Sequence, residues 1–203
     1  MAKDGSIGWI GPSDEDTDRL RHAAERLLSL GVDQVVYLGE ATTLEENAAR
    51  WSLELGGDGR SFLDRVVSVA ENGTPEEIAD LLESERAIRT LSRLRTLPPL
   101  PTRAVEMLAG RIILAVRDKK VLDEEDIANA TVIVYGNATE WLFKRFGPRY
   151  FLTPGPLEHG RVAILAGGEE DDSLTLSAID VESGEEVERH VLQGVSSRMT
   201  VSG

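Results

Sequence analysis

The chain has no cysteine, which excludes disulfides and thiolate metal sites. Imidazole is scarce as well: its three histidines are His22, His159 and His190. No apolar run reaches membrane-spanning length, and the first residues, MAKDGSIGWIG, hold no apolar signal-peptide core. There is neither a Gly-x-x-x-x-Gly-Lys-Ser/Thr phosphate loop nor a Gly-x-Gly-x-x-Gly fingerprint, and Ser13 and Ser61 have no histidine and carboxylate near them in a hydrolase pattern. Positive charge is also short. With 36 acidic against 22 basic residues the net charge is −14, which repels a phosphate backbone or an anionic membrane surface. These absences lead us to expect a soluble cytoplasmic protein whose charge suits a basic protein surface or a cation, with another protein as the partner, not nucleic acid or membrane.

What is present fits one substantial core. The 203 residues, 41% of them hydrophobic, are expected to form a single domain over 1–203 with short flexible termini. SIGWIG (6–11) reads as a strand, followed by Leu20, Ala23, Ala24, Leu27 and Leu28 at helical spacing up to Gly31. QVVYLG (34–39) reads as a strand covered on both faces, with Thr43 and Glu46 as a capping box opening a second helix. RVVSVA (65–70) is expected to be a third strand. Thr74-Pro75-Glu76-Glu77 then caps a helix carrying Ile78, Leu81, Leu82, Ile88 and Leu91. LRTLPPLPT (94–102) reads as an extended crossing segment, a short helix's length before the strand RIILAV (111–116). After the acidic helix LDEEDIANA comes the strand TVIVYG, and then WLFKRF, RYFL, RVAILA, SLTLSAID and EVERHVL follow with turn signals between them. Strand–helix alternation giving way to antiparallel strands predicts an α/β sandwich of two sheets packed face to face with helices outside.

The strand ends, taken in order, carry a resemblance. IGWIGPSDED places Pro12 and Asp14 after the first strand, VVYLGE gives Gly39-Glu40 after the second, and VAENGT keeps Asn72 between Glu71 and Thr74. IILAVRDK supplies Val116, Arg117 and Asp118; YGNATE supplies Gly136, Asn137 and Thr139; Thr153-Pro154-Gly155-Pro156 follows. The series resembles the five signature segments of the calcineurin-like metallophosphoesterases, particularly the small bacterial and archaeal phosphodiesterases and the retromer subunit sharing their fold. It spans roughly residues 6–192 by strand order. In that family these segments read Asp-x-His, Gly-Asp, Gly-Asn-x-Asp or Gly-Asn-His, a histidine-glycine-histidine turn and Gly-His-x-His, followed by Asn-Pro-Gly-Ser. The resemblance implies an α/β/β/α sandwich of two mixed sheets and a degenerate metal centre, since no histidine stands at a motif position.

Two-metal hydrolysis needs a bridging carboxylate and several imidazoles to acidify a metal-bound water and stabilise the leaving oxygen. Pro12 has no donor atom and Val116 is a hydrocarbon. Asp14, Glu40, Asn72, Asp118, Asn137 and Thr139 offer hard oxygen ligands, which suit Mg²⁺ or Ca²⁺ at low occupancy in preference to Zn²⁺ or Mn²⁺. The expectation is no cofactor and no catalysis: a pseudoenzyme acting as a protein-binding scaffold or regulatory subunit. Two alternatives stand beside it, a metal-dependent phosphoesterase with a rebuilt oxygen-ligand site and a small-molecule sensor using the vacated cleft. Hairpin alternation makes Trp141, Phe143, Phe146, Tyr150 and Phe151 candidate interaction residues.

Overall fold

A computed structural model describes residues 5–13, 16–56, 59–168 and 173–192. The strands are β1 (Ser6–Ile10), β2 (Gln34–Tyr37), β3 (Leu94–Thr96), β4 (Ala104–Leu108), β5 (Arg111–Val116), β6 (Val132–Tyr135), β7 (Leu142–Phe146), β8 (Arg149–Thr153), β9 (Arg161–Gly167), β10 (Leu174–Asp180) and β11 (Glu186–Leu192). The helices are α1 (Thr17–Ser29), α2 (Ala41–Gly56), α3 (Phe62–Asn72), α4 (Pro75–Leu91) and α5 (Glu124–Asn129).

Two sheets result, β11-β10-β9-β1-β2-β3 and β4-β5-β6-β8-β7, and both are mixed. In the first, β1, β2 and β3 run parallel, β9 is antiparallel to β1, and β10 and β11 continue with each strand antiparallel to the one before; in the second, β5, β6 and β8 run parallel between the antiparallel edge strands β4 and β7. Their facing sides form one core, with Trp9, Leu38, Leu97, Ile113, Leu152 and Leu165 essentially without exposed surface. Each such side chain contributes about 1.5–3 kcal/mol relative to exposure. On the outer side of the first sheet, Leu20, Ala23, Ala24 and Leu27 of α1 pack on Ile10, Val35 and Val162, following the period of the helix. On the outer side of the second, Ile127 of α5 and Ala130 cover Leu114 and Ile133. The layering is therefore the expected α/β/β/α.

Three local expectations are corrected. RVVSVA is not a strand but the middle of α3, whose N-cap is Ser61, with its side chain accepting from the Asp64 amide. Valine's β-preference yields here to capping and to packing against α4. The third parallel strand is instead the short β3, at the head of the segment read as a crossing, so the third strand end is Leu97-Pro98-Pro99-Leu100. Between that segment and RIILAV, β4 pairs with β5 through a hairpin whose turn, Ala109-Gly110, has positive φ at both residues (47° and 69°), the geometry that suits tight hairpins. Finally, α2 starts at Ala41, so Thr43 lies within its first turn and donates its amide to the Glu40 carbonyl at 3.1 Å.

Candidate functional site

Parallel strands deliver their following loops to one edge of a sheet, and both sheets use the same edge of the sandwich. The loops after β1, β2, β5 and β6 line a cleft of about 360 Å³, with Pro12 and Ser13, Gly39 and Glu40, Arg117 and Asp118, and Asn137 as its polar rim. Leu100, after β3, closes one side. Glycine at the turns is a packing requirement: a Cβ on Gly136 would lie 2.4 Å from the Leu38 carbonyl oxygen, and one on Gly11 would lie 1.7 Å from that of Gly155. Thr153-Pro154-Gly155-Pro156 is thus a buried wedge against the end of β1, and the Gly155 amide donates to Thr153 Oγ1 at 3.1 Å.

The dominant feature of the cleft is an ion pair. Arg117 Nη1 donates to Glu40 Oε2 at 2.8 Å, with Arg117 16% exposed and Glu40 70% exposed. Arg117 Nε is buried without a hydrogen-bond partner. Beside it, Asn137 Nδ2 donates to Asp118 Oδ2 at 3.0 Å, and Asp118 Oδ1 accepts the Lys120 amide at 2.9 Å, capping a single 3-10 turn. The Lys120 amide first, and Asn137 second, hold the Asp118 carboxyl below the usual carboxylate range, against a small opposing desolvation. Ser13 is engaged structurally: its amide donates to the Tyr37 hydroxyl at 3.1 Å and its Oγ lies 3.0 Å from the same oxygen. Tyr37 is buried, so the pair pins the β1 loop to β2.

The structure brings together Pro12, Glu40, Asp118 and Asn137, and it adds Arg117, Ser13 and Leu100 to them. Asp14 lies outside the described residues. Asn72 and Thr74 are corrected: Asn72 is the last residue of α3 and Thr74 the N-cap of α4, in a reciprocal capping box with Glu77, because the segment holding them is helical and never reaches the strand-end edge. Val116 is buried in β5, and Thr139 is exposed beyond the cleft lining. Leu100 was missed because β3 has only three residues and shows no hydrophobic period. Arg117 carried a signal, a cation directly after β5 where the resemblance leads one to expect histidine.

Among the described residues no three His, Asp or Glu side chains come together as a metal-binding group. Among the described residues, the donors that do converge do not fit a dinuclear centre: Glu40 already holds a guanidinium, and Asp118 is bound by Asn137 and a backbone amide. The histidines lie elsewhere. His22 Nε2 is 3.2 Å from the Val181 carbonyl oxygen, His159 is exposed in a short 3-10 turn, and the His190 ring packs on Phe143 at 4.6 Å between centroids.

The aromatic hairpin is corrected in part. Tyr150 is buried in the inter-sheet core, while Trp141 and Phe143 pack against it and Phe143 stacks on Tyr150 at 5.6 Å. Phe151 turns toward the α5 cluster and meets Phe146 edge-on at 5.4 Å. Phe146 alone of the five is open to solvent, 53% exposed. Alternation along β7 and β8 puts most of these rings inward because both strands stack on the first sheet.

No protein-family profile matches the chain, and no curated protein sequence matches it. Solved structures do. A phosphoesterase from E. coli, Yfce, superposes with a TM-score of 0.56 at 12% identity, over 93% of this chain and 100% of that one. A conserved protein from Streptococcus pneumoniae TIGR4, described as a predicted phosphoesterase, gives 0.52 at 16% identity, over 94% and 99%. A doubly substituted Vps29 from Entamoeba histolytica gives 0.50 at 16% identity, over 93% and 99%. The chain has the metallophosphoesterase fold.

Proposed function

Starting from that fold, we propose that the chain is a metal-free, catalytically inactive metallophosphoesterase-like protein that serves as a protein-binding scaffold or regulatory subunit. The observation that carries this reading is the Arg117–Glu40 ion pair. A dication bound at Glu40 would stand within a few ångströms of a largely buried guanidinium. At 4 Å and an effective dielectric near 20 that repulsion is about 4 kcal/mol per unit of charge, before the cost of breaking the existing pair. The arginine thus supplies the positive charge that this cleft requires. It is also a poor substitute for a metal in hydrolysis, because a guanidinium remains protonated and cannot present a bound hydroxide.

The retromer subunit that the strand ends resemble is the analogy for the scaffold role, and analogy of fold does not by itself transfer function. The acidic surface favours a partner with a basic face. Among the described residues no helix is long and apolar enough to cross a membrane. The test is hydrolysis of an aryl phosphodiester with Mg²⁺, Mn²⁺ or Zn²⁺. No turnover above blank is expected, and turnover that disappears in Glu40→Ala would replace this reading with that of a rebuilt metal enzyme.

A further inference from the structure

Short strands, charged side chains and bulges are the devices that keep a sheet edge from pairing with another chain. Of the four edges here, three carry them. β3 has only three residues, β7 exposes Lys144 and Arg145, and β11 bears Glu186, Glu188 and Arg189 and pairs with β10 through a register shift. The fourth edge, β4, is barely protected: it holds no proline and no lysine, and its pairing with β5 runs unbroken from Ala104 to Leu108. Its single charge, Glu106, is half-buried on the inner face, where it accepts from Gln34 Nε2 at 3.2 Å.

The turn after β4 decides which of its backbone groups are free. A two-residue turn with positive φ at Ala109 and Gly110 is closed by a hydrogen-bonded pair, Leu108 with Arg111. Bonded and non-bonded pairs alternate along an antiparallel ladder, so Glu106–Ile113 and Ala104–Ala115 are bonded as well. Val105 and Met107 therefore turn their N–H and C=O groups away from β5. Among the described residues, no backbone group of another element bonds to either. Their side chains are open too, Val105 61% and Met107 71% exposed, on the outer face opposite Leu114 and Ile112. Val105, Ile112 and Leu114 floor a groove of about 270 Å³ whose wall is Glu125, Asp126 and Asn129 of α5.

We infer that the β4 edge takes up an extended segment of a partner protein as an added strand of the second sheet, a segment in which apolar side chains alternate with lysine or arginine. Main-chain bonds at Val105 and Met107 supply affinity, and the alternating side chains supply specificity. Apolar side chains on the outer face extend the patch of Val105 and Met107, while those between them stand beside Glu106 on the inner face, where a cation is matched. The outer rim selects the same sign: Arg103 is already held by Asp123 and Asp126, and Glu124 and Glu125 stand exposed next to them. A second copy of this chain is a poor occupant, since it brings the same acidic groups and the same net charge of −14. This inference rests on the scaffold reading and gives it a location on a strand that contributes no residue to the cleft lining.

The experiment adds to the isotope-labelled full chain a synthetic peptide that alternates valine and lysine, and follows amide exchange by NMR. Exchange at Val105 and Met107, fast in the free chain, is expected to slow at least about tenfold in the bound one, because those amides acquire acceptors. Two N-methylated peptides test the backbone bonds. Methyl groups on the valines and methyl groups on the lysines block opposite edges of the peptide strand, so only one of the two should lose affinity, by at least about tenfold. V105P is expected to abolish binding and leave the fold intact, because that N–H serves no bond to β5 and an edge strand accepts proline at such a position. M107K, which sets a like charge beside the peptide, should weaken binding at least about tenfold. L63Q, on the exposed side of α3, should leave it unchanged. No binding, binding without protection at Val105 and Met107, equal affinity of the two methylated peptides, or unchanged affinity in M107K overturns the inference. So does a peptide bound as a helix, or sedimentation as a dimer that V105P dissociates, which would make the edge a self-interface. Glu40-dependent hydrolysis would overturn the scaffold reading without touching amide protection on β4, so the two failures are distinguishable.

Discussion

Arg117 and Glu40 meet across the cleft at 2.8 Å and tie the end of β5 in one sheet to the end of β2 in the other. A carboxylate so engaged is withdrawn from coordination. After expression with added Mn²⁺ and Zn²⁺ followed by dialysis, elemental analysis is expected to find metal well below one equivalent. Near-equimolar metal that vanishes in Glu40→Ala would reverse this.

The same pair contributes little to folding because Glu40 is mostly exposed. Glu40→Gln is expected to lower stability by less than about 1 kcal/mol, since a pair with one well-solvated partner gains modest Coulomb energy and the amide oxygen still accepts from the guanidinium. Urea titration checks this. A loss of several kcal/mol would mean that the pair is a structural clamp.

Asp118 gives a pH prediction. Its folded pKa is depressed, first by the Lys120 amide and then by Asn137, so its stabilising contribution is complete above the unfolded carboxylate pKa and is lost as pH falls through the folded value. Asn137→Ala should raise the Asp118 midpoint only part of the way to normal, because the larger cause remains. Carboxyl-carbon NMR titration reads it out, and an unmoved midpoint would refute the Asn137 contact.

The hairpin aromatics separate by burial. Tyr150→Ala, in the inter-sheet core, is expected to cost about 3–5 kcal/mol of folding free energy. Phe146→Ala should stay within about 0.5 kcal/mol, as exposed substitutions usually do. Similar losses for both in thermal or urea unfolding would contradict their placement.

Thr74 acts as a helix cap. Thr74→Ala should cost about 1 kcal/mol through loss of its bond to the Glu77 amide and leave the Asp118 midpoint unchanged. A change at Asp118 would put Thr74 back beside the cleft.

Local chemistry alone determined a good deal. RIILAV was legible as β5 residue for residue, because Ile112 to Val116 form a continuous apolar run of strand length bounded by Gly110 and Arg117. Thr74-Pro75-Glu76-Glu77 was legible as a cap, since its side chains satisfy the first amides of α4 without help from the rest of the chain. The ordered strand ends were enough to anticipate the sandwich and four of the cleft residues. The tertiary structure decided what depends on distant partners. RVVSVA became helix because Arg65 finds Glu85 and Ser84 on α4, and the three residues of β3 became a strand because β2 offers them a parallel edge. The hairpin rings turned inward because a second sheet lies behind them. Arg117 acquired its role only when two sheets met: its partner is 77 residues away in the chain, and no periodicity or spacing encodes a pair that exists only across a folded cleft.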